Sequence, residues 1–424
     1  MRESPNPFRP NCDGAVAPLR VYWLTPEFFP PEMAGMGIIT SRLAGALAER
    51  GAEVQVITRQ TLPRCAPRER IGRVEVRRLT PAGRMKGVGW RALPAMLIYI
   101  AKLMVLLIAN ARRYDVVIIS GMKTIPLAAV PVCRLLGKPC VLRVESPFEI
   151  AEPISAESLA KMQPLLGRAL SRALRAVQLA TLRGADRVIA ISSEIARRLE
   201  QLKYPQARMV CIPNAIDLRR FHPVSGVERE RLRARLGYPP GRIVLLYAGR
   251  RARSKGVMLL MQVLPELIAR HPNLFAVLVG SGRGAWDDCE EEVVAFRRRH
   301  HLQEHTKLFG HSDQLQQHFQ AADLFVTPSD YEGFGLTTVE SLACATPTVT
   351  TSVGIAPELV HHGVNGFLCP PKDAQALGNT IELALNERQR WPEIGRRARE
   401  AAAPFDVPRV IEQYVALCHE LRGH

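Results

Sequence analysis

The sequence predicts an α/β protein built from two doubly wound, Rossmann-like domains that face each other across a cleft. Three observations carry this expectation. Short apolar runs alternate repeatedly with helical stretches along the chain. The runs are apolar almost throughout, as parallel strands covered on both faces are. A polar, proline-marked stretch at 213–241 interrupts the alternation, which then restarts.

Each element follows in order. Residues 1–17 form a lead without an apolar core and read as disordered, with no secretion signal. The first domain spans 18–218. "LRVYWLTPE" is a strand closed by a proline turn. "GIITSRLAGALAERG" is a helix with Leu43, Ala44, Leu47 and Ala48 on one face and Gly51 as its stop. "EVQVIT", "YDVVIIS", "CVLRVE" and "RVIAIS" are further buried strands. The stretch "LPAMLIYIAKLMVLLIAN" has about the length to span a bilayer, but Lys102 at its middle costs ~2.5–3.5 kcal/mol there. It is expected to be a buried or interfacial helix. Residues 219–241 are the linker region. The second domain, 242–404, repeats the pattern with "RIVLLYAG", "NLFAVLVG", "HTKLFG", "ADLFVTP" and "TPTVTT". A final helix within 405–424 is expected to pack back toward the first domain.

Composition narrows the function. The chain of 424 residues carries 57 Lys+Arg against 40 Asp+Glu, a net charge of +17. Such a balance favours phosphorylated substrates, phospholipid head groups or nucleic acid. The charge is dispersed through helices and forms no basic tail, so no nucleic-acid partner is expected. Nine cysteines include no C-x-x-C pair, which points to free thiols in a reducing compartment and against a zinc site. No D-x-D pair, no phosphate-loop G-x-x-x-x-G-K-[ST] and no G-x-S-x-G elbow is present. All eleven histidines lie at or after His222, so no histidine base is available in the first domain, and the doublets His300–His301 and His361–His362 read as surface residues.

Ligands of facing doubly wound sheets bind beyond the carboxyl ends of the strands. "AGRRARSKG" stands at such an end. Arg250 and Lys255, with Gly249 and Gly256 beside them, can clamp a diphosphate: arginine offers a planar fork, lysine a point charge, and glycine lets the backbone approach. The alternative is a solvated basic turn. "DYEGFGLTTVE" follows another strand. Glu332 falls at the strand end, and Glu340 about one turn into the next helix. A carboxylate accepts two hydrogen bonds and suits vicinal sugar hydroxyls, while amides at the helix start favour an anion. The alternative is a pair of surface glutamates. Gly35 and Gly37 open the first helix opposite the clamp, a weaker signal. In "GRALSRALRAVQLATLRGADR", Arg168, Arg172 and Arg175 share a helix face, either solvated or aimed at acidic lipid.

Taken together, "GMGIITSRLAGALAERGAEVQVIT", "IPNAIDLRRF", "GRRARSKG", "SDYEGFGLTTVESLACATPTV" and "SVGIAPELVHHGVNGFLCPPKD" resemble the nucleotide-sugar glycosyltransferases of family four, the retaining "group 1" enzymes of the GT-B fold. The resemblance runs from about residue 20 to 400. It implies that Arg250 and Lys255 hold the donor diphosphate, and that Glu340 binds the ribose. Glu332 would meet the transferred sugar, near the amides of Phe334, Gly335 and Leu336. Gly35–Gly37 would approach the phosphates from the first domain, and Phe309–Gly310 would flank the base. Two positions depart from the pattern in the sugar or acceptor pocket, where relatives carry histidine near Ser120 and Glu145. Two usual glycines are Ala215 and Ala345. The implied activity is metal-independent, retaining transfer of a hexose to a saccharide or lipid-linked acceptor, in polysaccharide or glycolipid assembly. No cofactor is implied beyond the nucleotide-sugar co-substrate. The setting would be the cytoplasm or the inner face of a membrane. The competing expectation is a non-catalytic protein of the same fold that binds acidic membrane or polyanion through its basic first domain.

Overall fold

The computed structural model describes residues 17–28, 35–62, 65–80, 93–151, 164–282 and 287–423. The lead at 1–16 lies outside them, as does the side chain of Arg168.

The first domain contains strands β1 (Arg20–Leu24), β2 (Glu53–Arg59), β3 (Arg68–Ile71), β4 (Val74–Leu79), β5 (Val116–Ser120), β6 (Cys140–Val144), β7 (Arg187–Ala190) and β8 (Met209–Cys211). They lie in the order β3-β4-β2-β1-β5-β6-β7-β8. All neighbours are parallel except the β3–β4 pair. Its helices are α1 (Gly35–Glu49), α2 (Leu93–Ala109), α3 (Thr124–Leu135), α4 (Pro147–Ala151), α5 (Pro164–Gly184) and α6 (Ser193–Gln201). β5 and β6 are buried at every position, as their mostly apolar runs require, and the burial includes Ser120 and Arg143. In α1, Leu43, Ala44, Leu47 and Ala48 face the core.

The second sheet comprises β9 (Ile243–Ala248), β10 (Leu274–Val279), β11 (Thr306–Phe309), β12 (Leu324–Thr327), β13 (Thr348–Thr351) and β14 (Phe367–Cys369), in the order β11-β10-β9-β12-β13-β14 and wholly parallel. The helices are α7 (Gly226–Leu236), α8 (Val257–Arg270), α9 (Glu290–Arg299), α10 (Leu315–Ala321), α11 (Leu336–Ala343), α12 (Ala356–Leu359), α13 (Ala374–Asn386), α14 (Trp391–Ala402) and α15 (Val407–Arg422). Within the polar stretch 219–241, Ser225 caps α7 by accepting the Glu228 N–H at 3.2 Å, and Gly237 ends it at φ +64°. This helix packs on α10.

Two chain crossings join the domains side by side. Ile216 donates to the Phe405 carbonyl (2.7 Å) and Val407 to the Ile216 carbonyl (3.1 Å). Beyond them α15 returns to the first domain. Tyr414 stacks on Trp23 with ring centres 5.7 Å apart, Glu420 pairs with Arg187, and Arg422 donates to the Ala17 carbonyl at 2.7 Å.

α2 is amphipathic in a limited sense. Tyr99, Leu103, Leu106 and Leu107 are buried, Lys102 donates to Thr80 Oγ1 at 2.5 Å, and Leu97, Ile98, Val105 and Ile108 are exposed. Among the described residues no helix is long and apolar enough to cross a membrane.

Candidate active site

Each sheet has one place where successive connections run to opposite sides: between β1 and β5 in the first, and between β9 and β12 in the second. Crevices open beyond the carboxyl ends at such points. The two crevices face each other and enclose a cavity of about 360 Å³.

On the second-domain side the wall starts at the end of β9. Buried Tyr247 donates its hydroxyl to the Arg250 carbonyl at 2.6 Å, bracing the loop that follows. Arg251 turns inward. It makes a two-point bond to Glu290 (2.6 and 2.8 Å) and donates to the Phe309 carbonyl at 2.7 Å. Asp287 accepts the Ser254 N–H at 2.9 Å. Gly256 is required where the loop meets β12: a Cβ there would lie 1.8 Å from the Pro328 carbonyl oxygen. These restraints deliver Lys255 into the cavity, where its ammonium donates to Glu332 Oε1 at 2.8 Å. Ser329 Oγ donates to the same oxygen at 2.8 Å.

A Cβ on Gly333 would lie 2.3 Å from the Glu145 carbonyl oxygen, so this glycine is where the second domain touches the first. Phe334 is buried edge-on against Phe405, with ring centres 5.9 Å apart. Gly335 starts α11 at φ +96°, which only glycine adopts without strain.

The first-domain wall is acidic and buried. Arg143, fully enclosed in β6, bonds the Glu145 carboxylate and Asn214 Oδ1, and the Tyr414 hydroxyl lies nearby. Such a buried cation requires partners of this kind. Ser120 accepts the Trp23 Nε1–H at 3.0 Å. Burial pushes the Glu145 carboxyl above its usual range, against the pull of Arg143. Glu149 accepts the Glu145 N–H at 3.0 Å. Burial, with the Glu145 charge, raises the Glu149 carboxyl to about 7.

Residues 228–402 match the family described as "Glycosyl transferases group 1", and residues 34–215 match the "Glycosyl transferase 4-like domain". The chain belongs to the group 1 glycosyltransferases. It is 27% identical over 394 residues to D-inositol 3-phosphate glycosyltransferase 1 of Catenulispora acidiphila, covering 91% of this chain and 90% of that one. Its fold is that of sucrose-phosphate synthase from Thermosynechococcus elongatus (TM-score 0.78, 24% identity, 95% and 99% of the two chains). It is also that of the Anabaena protein HepE in complex with UDP-glucose (TM-score 0.73, 22% identity, 95% and 100%). The architecture of this group 1 glycosyltransferase is GT-B.

The structure brings Lys255, Glu332, Gly249, Phe334, Gly335, Leu336, Gly35 and Glu145 around one cavity. Gly35 faces Leu336 across it, 3.7 Å from its Cδ1 when a Cβ is placed there. Other candidates stand outside these walls. Arg250 is exposed and pairs with no carboxylate among the described residues. Gly37 is buried in the first turn of α1. Ser120 is buried at the end of β5. Phe309 and Gly310 accept backbone bonds from Gly280 (3.3 and 3.0 Å) away from the cavity. Glu340 lies inside α11, covered by Arg42 of α1, with Arg42 Nη2 at 3.9 Å from its Oε1. Arg42 also donates to the Ala215 carbonyl at 2.5 Å. Burial raises the Glu340 carboxyl to about 7, with Arg42 and Arg220 opposing the rise.

Sequence reasoning missed Arg143, Glu149, Asn214 and Arg42. Arg143 had a signal, since an arginine inside an otherwise apolar parallel strand needs a buried partner. Glu149, Asn214 and Arg42 carry no local mark; folding gives them their roles, Glu149 against the Glu145 amide, Asn214 beside Arg143, and Arg42 against Glu340 of the other domain.

Proposed function

We propose that this group 1 glycosyltransferase moves a hexose from a nucleoside-diphosphate sugar to a hydroxyl of a saccharide or lipid-linked acceptor, with retention of anomeric configuration and without a metal ion. The observation that carries the reading is the Lys255–Glu332 pair, held at 2.8 Å where the two sheet crevices meet. In the free enzyme each neutralises the other. A donor diphosphate takes over Lys255, and Glu332 is released to accept the sugar's hydroxyls. The amides at the start of α11 add partial positive charge near the leaving group. Arg250, exposed on the same loop, completes the cation set. Glu340 takes the ribose once Arg42 withdraws.

Support comes from the relatives. Solved structures of the same fold hold UDP, UDP-glucose and ADP. Retention is favoured by the lack of any histidine before His222 in the sequence, which leaves the departing phosphate as the proton acceptor. Metal independence is favoured by cationic side chains at the diphosphate and by a sequence without D-x-D. The test is turnover with a panel of sugar nucleotides, with the product's anomeric configuration read by NMR and the assay repeated in EDTA. A product of inverted configuration or loss of turnover in EDTA would each remove that part of the reading. Absence of turnover with every donor would favour the non-catalytic alternative.

We further propose that the enzyme works on the cytoplasmic surface of an acidic membrane. One specific feature favours this. Leu97, Ile98, Val105 and Ile108 on α2 are about half or more exposed, and so are Leu135 on α3 and Val177 on α5. α2 packs on α3 and α3 on α5, so these residues belong to one helical layer. Exposed Arg112, Arg113, Arg134 and Arg172 accompany them. Apolar side chains with basic neighbours suit the head-group region of anionic lipid. Co-sedimentation with phosphatidylglycerol vesicles should fall with salt and in Val105→Glu; equal recovery with neutral vesicles would refute it.

A further inference from the structure

A second cavity, of about 520 Å³, adjoins the first. The two share Tyr331 and Glu332, and they meet again where Ser146 lines one and Pro147 lines the other. Both domains wall the second cavity, and one bond ties its sides together: Glu358 Oε1 accepts the Ser193 N–H at 2.8 Å. Its volume falls within the range of about 300–1,000 Å³ usual for small-molecule sites.

The polar groups around it are unevenly committed. Glu332 is neutralised by Lys255, and Glu358 is held by the Ser193 amide. On α6, Arg197 and Arg198 are both exposed. Arg197 Nε makes a long bond of 3.4 Å to the Ser193 carbonyl, and the Arg198 guanidinium makes no hydrogen bond or ion pair among the described residues. Neither guanidinium has a carboxylate within salt-bridge distance among those residues. Asp330, half-buried on the opposite wall, makes no side-chain hydrogen bond among them either. Two free arginine forks bind phosphate or carboxylate oxygens, and a free carboxylate binds hydroxyls.

We infer that this second cavity is the acceptor site, and that the acceptor is a polyhydroxylated molecule bearing an anionic group, phosphate or carboxylate, gripped by Arg197 and Arg198. The inference rests on the donor reading given above. Glycosyl transfer brings two substrates to one point, and Glu332 is the carboxylate that both cavities share. If both substrates are anionic, each needs its own cations in a closed cleft, because like charges in a water-poor site repel strongly. Lys255 and Arg250 serve the donor diphosphate. Arg197 and Arg198 lie on the other domain and are free for the acceptor, with Asp330 and Glu332 to receive its hydroxyls. In the transfer, the acceptor oxygen forms a bond to the anomeric carbon as the bond from that carbon to the diphosphate oxygen breaks. The electron pair leaves with that phosphate oxygen, which also takes the acceptor's hydroxyl proton.

The test is calorimetric titration of the full chain with glucose 6-phosphate, glucuronate, glucose and inorganic phosphate, on the wild type, Arg197→Ala/Arg198→Ala and Lys255→Ala. The wild type should bind glucose 6-phosphate or glucuronate at least tenfold more tightly than glucose, and the better of the two should show which anion is read. The double variant should lose that preference while keeping its affinity for nucleoside diphosphate within twofold; Lys255→Ala should do the reverse. Arg197→Lys/Arg198→Lys, which keeps the charge but not the fork, should retain part of the preference. Equal binding of glucose, no binding of either anionic sugar, an unaffected double variant, or sugar-phosphate binding that depends on Lys255 instead would each overturn the assignment. Inorganic phosphate binding as tightly as glucose 6-phosphate would reduce the site to a simple anion hole and overturn the polyol part. Failure of the donor reading registers separately, as the absence of any nucleoside-diphosphate binding.

Discussion

Replacing Glu340 with Gln tests the burial of this carboxyl and its role together. Glu340 is 6% exposed, and burial raises its carboxyl from 4.5 to about 7. At 1.36 kcal/mol per pH unit, that rise corresponds to roughly 3 kcal/mol. The folded protein keeps a proton here that the unfolded chain releases between about pH 4.5 and 7. Stability therefore falls as pH rises through that window and levels off above it. Glutamine keeps the shape and has no such proton to lose. Integrated from pH 5 to pH 8, the gap between variant and wild type should move by about 2.5 kcal/mol in favour of the variant. Urea unfolding at the two pH values measures it, and contributions from other groups cancel in the comparison. The donor follows the opposite direction. Ribose hydroxyls need an ionised acceptor, so wild-type donor affinity should weaken about tenfold from pH 8 to pH 6, and Glu340→Gln should bind weakly at both. A stability gap constant within about 0.5 kcal/mol would refute the burial argument. An unchanged donor affinity in the variant would remove Glu340 from the site.

Three further outcomes are expected. Lys255→Ala should lower kcat by about 10²–10³, measured under donor saturation, because it removes a cation placed where charge develops on the leaving group. Ala345 holds φ +56°, a left-handed conformation that disfavours a Cβ, so Ala345→Gly should raise stability by about 0.5–1 kcal/mol in thermal or urea unfolding. Gly333→Ala places a methyl 2.3 Å from the Glu145 carbonyl oxygen and should hold the domains apart, cutting turnover at least tenfold while circular dichroism shows both domains folded.

The legible parts of the fold were those whose residues are buried on both faces. β9 and β10 are apolar end to end, and β5 and β6 are so apart from Ser120 and Arg143, a pattern that suits parallel strands covered on both faces. The β3–β4 hairpin escaped because "RERI" and "VEVRRL" lie at the sheet edge, where alternating charge is compatible with loop or strand. β8 is three residues long and has no periodicity to read. The site was legible as two loops, but not as a set of side chains. "GRRARSKG" points to a basic turn, yet only the fold decides that Arg251 goes inward to Glu290 while Arg250 stays in solvent. Likewise, Arg42 and Glu340 meet through domain closure, which no local pattern encodes.

Closure is also what ties the chemistry to the raised carboxyls. Glu149 and Glu340 belong to different domains, and burial is the leading cause of the rise in each. Gly333 against Glu145, Ser193 on Glu358 and Arg42 over Glu340 are the contacts that bring the domains together. The same exclusion of water that makes an unpaired carboxylate costly makes Lys255 and the α11 amides effective against a developing phosphate charge. A donor entering this space brings the hydroxyls that a buried carboxylate lacks and the anion that frees Lys255 from Glu332. Binding thus replaces a set of internal pairings, Lys255 with Glu332 and Arg42 with Glu340, by pairings to substrate. The domains need not create charge complementarity at the moment of reaction; they exchange one set of partners for another, and only a substrate that supplies both an anion and hydroxyls completes the exchange.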